Sequence, residues 1–366
     1  MNKQEKKLFR SLCSFREKMS DQSLLDYATP EVLGQLFFNR MSAVAYGKLY
    51  YNGLLGKVNR EFRNSLKSAY EQNAVKNESF FVCIQELNSV LSEHKRKYAM
   101  LKGAFLCRYY PDGYRTSNDI DLLVPPEFVT EIGNTLSKNG FLQGYIRNER
   151  FVPATRKEII ESKMMRGETV PYIKEVNLPG MKYLEVDINF SLDYKNGGSE
   201  LIKIMLDRSV LEELSGLRVP TLSREDFFIH LCNHLYKEAT TMPWVKMKRD
   251  MTLYKYCDIY YLLSELNNEQ ITAIFVRAKE LSMEKICAYA ILQTAELFDL
   301  NQGYAVHMAK EILKDDLEFV HTVFSPGEKK MYVYINKDIA ERFFENDRIS
   351  LLMEVSGSAK TEYETE

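Results

Sequence analysis

The chain has 366 residues, enough for two lobes or for one large core with helical additions. Hydrophobic residues make up 45%, charged residues 27% and aromatic residues 12%, a globular composition that confines any disorder to the ends. Lys and Arg number 49 against 51 Asp and Glu; the formal net charge of -2 advertises neither nucleic acid nor an anionic membrane, so any polyanion site must be local.

From the start to residue 97 apolar residues recur at three and four, as in Leu24, Leu25 and Tyr27, then Val32, Leu33, Leu36 and Phe37, then Phe80, Phe81, Ile84, Leu87, Val90 and Leu91. This spacing predicts an N-terminal helical region, 1–97. The pattern then changes. A short apolar run at 98–101 ends in Lys102-Gly103, and an amphipathic stretch at 104–110 stops at Pro111-Asp112-Gly113, which reads as strand, tight turn, short helix and loop. Asp119-Ile120-Asp121-Leu122-Leu123-Val124 is a second short strand, halted by Pro125-Pro126. A helix over 127–139 follows, closed by Gly140. Strands return at 170–176 and 183–189, separated by Pro179-Gly180, with an Asn-Gly-Gly-Ser loop at 196–199 behind them. Together these elements predict an α/β core over 98–221.

Ser223 with Glu225-Asp226 opens a C-terminal helical region, 222–353, with further helices at 253–266, 269–281, 283–298 and 306–313. Residues 354–366 read as a flexible acidic tail. The six cysteines, Cys13, Cys83, Cys107, Cys232, Cys257 and Cys287, lie at long irregular intervals, which argues against both zinc and a disulfide scaffold. The charged N-terminus does not read as a signal peptide, and no window reaches the roughly 18 apolar residues of a spanning helix. The expected location is a reducing cytoplasm, with no membrane.

The chemistry concentrates between Lys102 and Asp121. Residues two apart on a strand point the same way, so Asp119 and Asp121 project together from one face. Two carboxylates that close repel unless a cation relieves them, and oxygen-rich sites of this kind suit Mg²⁺ shared with phosphate. By the same alternation Glu185, Asp187 and Asn189 share one face of the strand at 183–189, while Leu184, Val186 and Ile188 share the other, so Asp187 is a candidate third carboxylate. Gly103, at a strand-to-helix turn, permits close approach of a phosphate.

The run Leu101-Lys102-Gly103, Tyr110-Pro111, Arg115 four residues before Asp119-Ile120-Asp121-Leu122-Leu123-Val124, then Asn139-Gly140-Phe141, resembles the bacterial nucleotidyltransferase-like family of the DNA polymerase β nucleotidyltransferase superfamily. The likeness continues through 186–190 and from Leu222 past His230 and His234 to Asp258, covering roughly residues 20 to 265. It implies an α+β fold, a small mixed sheet with flanking helices between helical regions. It further implies a Mg²⁺-dependent enzyme, with two ions, that moves a nucleoside monophosphate from a triphosphate, ATP in the first instance, to a hydroxyl of a small molecule or protein and releases pyrophosphate. By that resemblance Asp119, Asp121 and Asp187 bind metal and act in catalysis. Lys102, Gly103 and Ala104 hold the triphosphate, Arg115 neutralises its charge, and His234 lines the nucleotide pocket.

The chain departs from the superfamily in two places. The usual Gly-Gly or Gly-Ser turn is Lys102-Gly103-Ala104, and Asn189 stands where the family more often has His. These motivate the alternative reading, a catalytically silent nucleotide-binding or scaffold protein. The basic neighbourhood of Trp244, Lys246, Lys248, Arg249 and Lys255 reads first as a solvated face and alternatively as a wall that draws in a triphosphate or an anionic acceptor, and the balanced charge argues against nucleic acid as acceptor.

Overall fold

The computed structural model describes residues 1–94, 96–165, 167–192, 199–300 and 303–355. Residues 196–198 of the expected loop and nearly all of the expected tail lie outside the described residues. Two compact units emerge: one is Lys7–His230, the other Met1–Lys6 with Leu231–Glu366. Apart from its first six residues, the predicted helical region 1–97 thus shares a unit with the α/β core.

The first unit opens with α1 (Lys3–Cys13), which begins in the other unit's segment, followed by α2 (Pro30–Phe38), α3 (Ser42–Tyr51) and the long α4 (Arg60–Val90). Helix α4 starts where Asn59 Oδ1 accepts from Phe62 N at 2.8 Å, an Asn cap that satisfies one of the helix's open donors. Then come β1 (Ala99–Met100), α5 (Gly103–Tyr109), β2 (Asp119–Leu123), α6 (Val129–Lys138), β3 (Leu142–Arg147), β4 (Arg150–Pro153), α7 (Arg156–Met165), β5 (Tyr172–Leu178) and β6 (Met181–Asn189). Helix α8 (Ser199–Leu206), the hairpin β7 (Val210–Leu214) and β8 (Leu217–Thr221), and the start of α9 (Arg224–Ala239) complete it.

Six strands form one mixed sheet in the order β1-β2-β6-β5-β3-β4. Only β2 and β6 run parallel; the other neighbours are antiparallel. This is the mixed sheet with flanking helices that the resemblance implied. Along β6 the alternation is clean: Leu184, Val186 and Ile188 are fully buried, while Glu185, Asp187 and Asn189 are half-buried. On the apolar face α6 approaches so closely that a Cβ at Gly133 would collide with the Tyr172 hydroxyl. The hairpin β3–β4 escaped the sequence reading because its exposed and half-buried residues carry no simple alternation.

The second unit contains α10 (Met242–Lys246), α11 (Leu253–Glu265), α12 (Asn268–Glu280), α13 (Glu284–Phe298), α14 (Tyr304–Leu313) and α15 (Ile339–Phe343). Asn267 and Gln270 close a reciprocal cap on α12, each side chain accepting from the other's backbone N–H at 2.9 and 3.0 Å. Contrary to the all-helical expectation for 222–353, this unit also holds a small antiparallel sheet, β11-β10-β9, from β9 (Thr322–Ser325), β10 (Lys330–Tyr334) and β11 (Leu352–Glu354). Its strands are three to five residues long, too short to display a period in the sequence. The Arg348 guanidinium grips buried Asp250 through two hydrogen bonds, at 2.8 and 2.5 Å. Among the described residues no helix is long and apolar enough to cross a membrane, and all six cysteines are buried and outside any disulfide.

Candidate active site

Strand β2 carries Asp119 and Asp121 on one face, as their spacing requires. Its parallel pairing with β6 sets Asp121 directly opposite Asp187 and Asp119 opposite Glu185, so four carboxylates stand on one patch of sheet. Glu168, bridged antiparallel to Asn189, adds a fifth acid whose charge acts on Asp187. Burial, then the charges of Asp121 and Asp119, push the Asp187 carboxyl well above the ordinary carboxylate range. Burial and Asp119 likewise raise Glu185. The patch is electrostatically uncomfortable on its own terms.

Relief at Asp121 comes from the turn between β1 and α5. Lys102 Nζ donates to Asp121 Oδ1 at 2.9 Å, and Asn189 Nδ2 reaches the same oxygen at 3.3 Å. Both partners of the ion pair are largely buried. Burial opposes the charge on Lys102, but Asp121, Asp119 and Asp187 together outweigh it and hold the ammonium protonated, above its ordinary range. The backbone of Lys102 sits at φ 46°, ψ -113°, a region that favours glycine. Next to it Gly103 has no room for a side chain: a Cβ there would meet Ser117 Oγ at 2.5 Å. Ala104 is fully buried, and its N–H donates to Leu101 O at 3.2 Å, so it shapes the turn.

The loop between α5 and β2 is pinned from α4. Asn73 Nδ2 donates to Gly113 O at 3.0 Å and Asn77 Nδ2 to Arg115 O at 2.8 Å, while Lys76 Nζ bonds Asn118 Oδ1. The half-buried Arg115 turns its guanidinium onto the carbonyl of Thr116. Ser117 Oγ donates to Asp119 Oδ1 at 2.7 Å and so fixes that carboxylate. Burial pushes the Lys76 ammonium below its ordinary range, while the charges of Asp119 and Glu185 act the other way and mark it as a second ammonium near the acids. His234 belongs to the other unit, on α9, where its Nε2 lies 3.4 Å from Glu238 Oε1. In the same unit Lys255 pairs with Glu238 and lies 5.3 Å from the Trp244 ring centre, which shields part of the basic neighbourhood.

Sequence reasoning missed Ser117, Lys76 and Glu168. Ser117 was within reach of it, being the hydroxyl residue two before Asp119. Lys76 and Glu168 reach the patch through long-range packing that leaves no local pattern.

The donor chemistry of the patch is carboxylate oxygen, the kind hard divalent cations take. Among the described residues, no three of His, Cys, Asp and Glu are gathered tightly enough to cage a cation unaided. The ammonium of Lys102 stands among these carboxylates instead. The raised Asp187 nevertheless leaves an acid that a cation would relieve, and in that sense the residues fit one.

Residues 29–299 match the model of a family described as an uncharacterised nucleotidyltransferase. The chain belongs to that family. The match spans β2 and β6 with all their acids, the Lys102-Gly103 turn, and α4, whose Asn73, Lys76 and Asn77 pin the loop. No curated protein matches the chain significantly.

Proposed function

We propose that this nucleotidyltransferase transfers a nucleoside monophosphate, AMP from ATP in the first instance, to a hydroxyl of a small molecule or protein, with release of pyrophosphate and with Mg²⁺ at the acid patch. The observation that carries this reading is the register that sets Asp121 opposite Asp187, with Asp119 on the same face and the Lys102-Gly103 turn alongside.

Asp119, Asp121 and Asp187 would hold the metal. Bound Mg²⁺ would supply charge stabilisation to the triphosphate and acidify the acceptor hydroxyl. The chain's own residues do the rest. Ser117 and Asn189 orient the Asp119 and Asp121 carboxylates. Gly103, with no side chain, lets the Ser117 loop pack against the turn, and Lys102 and Lys76 offer the phosphates positive charge. The acceptor oxygen bonds to the α-phosphorus as the bond to the bridging oxygen of the β-phosphate breaks. The acceptor's proton passes to a carboxylate oxygen of Asp187, which stands opposite Asp121.

The Lys102–Asp121 ion pair lends its support to the alternative, a catalytically silent nucleotide-binding protein, because it ties up a carboxylate that catalysis needs. Turnover decides between them. With α-labelled and γ-labelled ATP and a panel of hydroxyl acceptors, transfer should place the α-label on the acceptor and release pyrophosphate, and Asp121→Asn should slow both by about 10²–10³-fold. Release of ADP with the γ-label on the acceptor would contradict the proposal.

A further inference from the structure

We infer that Lys102 is a resident counter-ion of the acid patch, which holds Asp121 until a triphosphate draws its ammonium away, so that the patch takes up a divalent cation only together with a nucleotide. The inference rests on the nucleotidyltransferase reading above.

Three observations converge on it. The ammonium occupies a carboxylate that a cation would need: Asp121 Oδ1 already accepts from Lys102 Nζ at 2.9 Å and from Asn189 Nδ2 at 3.3 Å. The backbone of residue 102, at φ 46° and ψ -113°, is costly for any residue with a Cβ, and such strain persists only where the surroundings impose it. Here they do. Leu101 N donates to Asp121 O at 3.0 Å on one side, while Phe105 N and Leu106 N donate to Lys102 O at 3.1 and 2.9 Å on the other. The turn is thereby stitched to the residue its side chain neutralises. Finally, a triphosphate entering the site gives Lys102 a new anion to hold, which frees the Asp121 oxygen.

The test is Mn²⁺ binding to the full chain, followed by electron paramagnetic resonance of the free ion and by calorimetry, without nucleotide and then with a non-hydrolysable ATP analogue. Wild type and Lys102→Arg, which keeps the charge, should bind Mn²⁺ weakly alone and tightly with the analogue. Lys102→Met should bind Mn²⁺ alone about tenfold tighter than wild type, within the range usual for coupled sites. Should Lys102→Met melt too low to measure, Lys102→Gly, which also relieves the strained backbone, carries the same expectation. Equal Mn²⁺ affinity in wild type and the uncharged variants would overturn the inference. Failure of wild type to bind the analogue with or without metal would overturn the nucleotidyltransferase reading itself, an outcome the metal-alone comparison cannot produce.

Discussion

Gly103 and Ser117 meet across the turn that opens the site: a Cβ on residue 103 would stand 2.5 Å from Ser117 Oγ and 2.6 Å from Ser117 Cβ. The crowding involves the root of the Ser117 side chain, so no rotamer change relieves it, and the loop must move. That loop delivers Asp119, which Ser117 holds by a 2.7 Å hydrogen bond. Gly103→Ala should therefore cost about 1–3 kcal/mol, the usual range for overpacking, read as a fall in the urea midpoint. Ser117→Gly in the same chain should recover most of that loss. Simple additivity of the two changes would show that the contact does not carry the effect.

Asparagine substitutions should separate the two opposed acids. Asp121→Asn strips Lys102 of its anion and leaves a largely buried ammonium, so melting temperature should fall. Asp187→Asn replaces a carboxyl already pushed toward its neutral form, and melting temperature should rise. Each change should lower turnover by about 10²–10³-fold, and the double variant by little more, since both act on one reacting centre. Equal and like-signed stability changes would contradict the electrostatic account.

The acids were legible because a strand's period of two is rigid: Asp119 with Asp121, and Asp187 with Glu185, had to share faces once the strands were recognised. The sequence does not show that β2 and β6 are neighbours, a matter of sheet order. Nor does it show what Lys102 does. A lysine beside a turn glycine suggests a phosphate ligand, and only the folded turn reveals that its ammonium rests on Asp121. The grip of α4 on the loop, through Asn73, Lys76 and Asn77, spans about forty residues of chain and follows from packing alone. In the second unit, the short strands β9 to β11 lie where helical periodicity had ended, and their apolar runs are too brief to signal a sheet.

The second unit also carries a pH dependence. Arg342 Nη1 lies 3.0 Å from His321 Nδ1, and because a guanidinium only donates, that ring nitrogen must accept and the imidazole must be neutral. Burial, then Arg342 and Lys337, push His321 from 6.5 down to about 4. Between those values the unfolded chain binds the proton and the folded chain does not, so this contribution is full above pH 6.5 and is lost as pH falls toward about 4. His321→Asn keeps an acceptor near Nδ1 and removes the titration. Its melting temperature should vary less with pH across that window than that of wild type; parallel curves would refute the assignment.

The central claim is that the Asp119, Asp121 and Asp187 patch with its Lys102-Gly103 turn is a metal-dependent nucleotide site. Calorimetric titration of each non-hydrolysable triphosphate, with and without Mg²⁺, into wild type and into Asp119→Ala, Asp121→Ala tests it most directly. Binding that requires Mg²⁺, favours one nucleotide and disappears in the double variant is the predicted result. Nucleotide binding that survives unchanged in a well-folded double variant, or none in wild type, would contradict it.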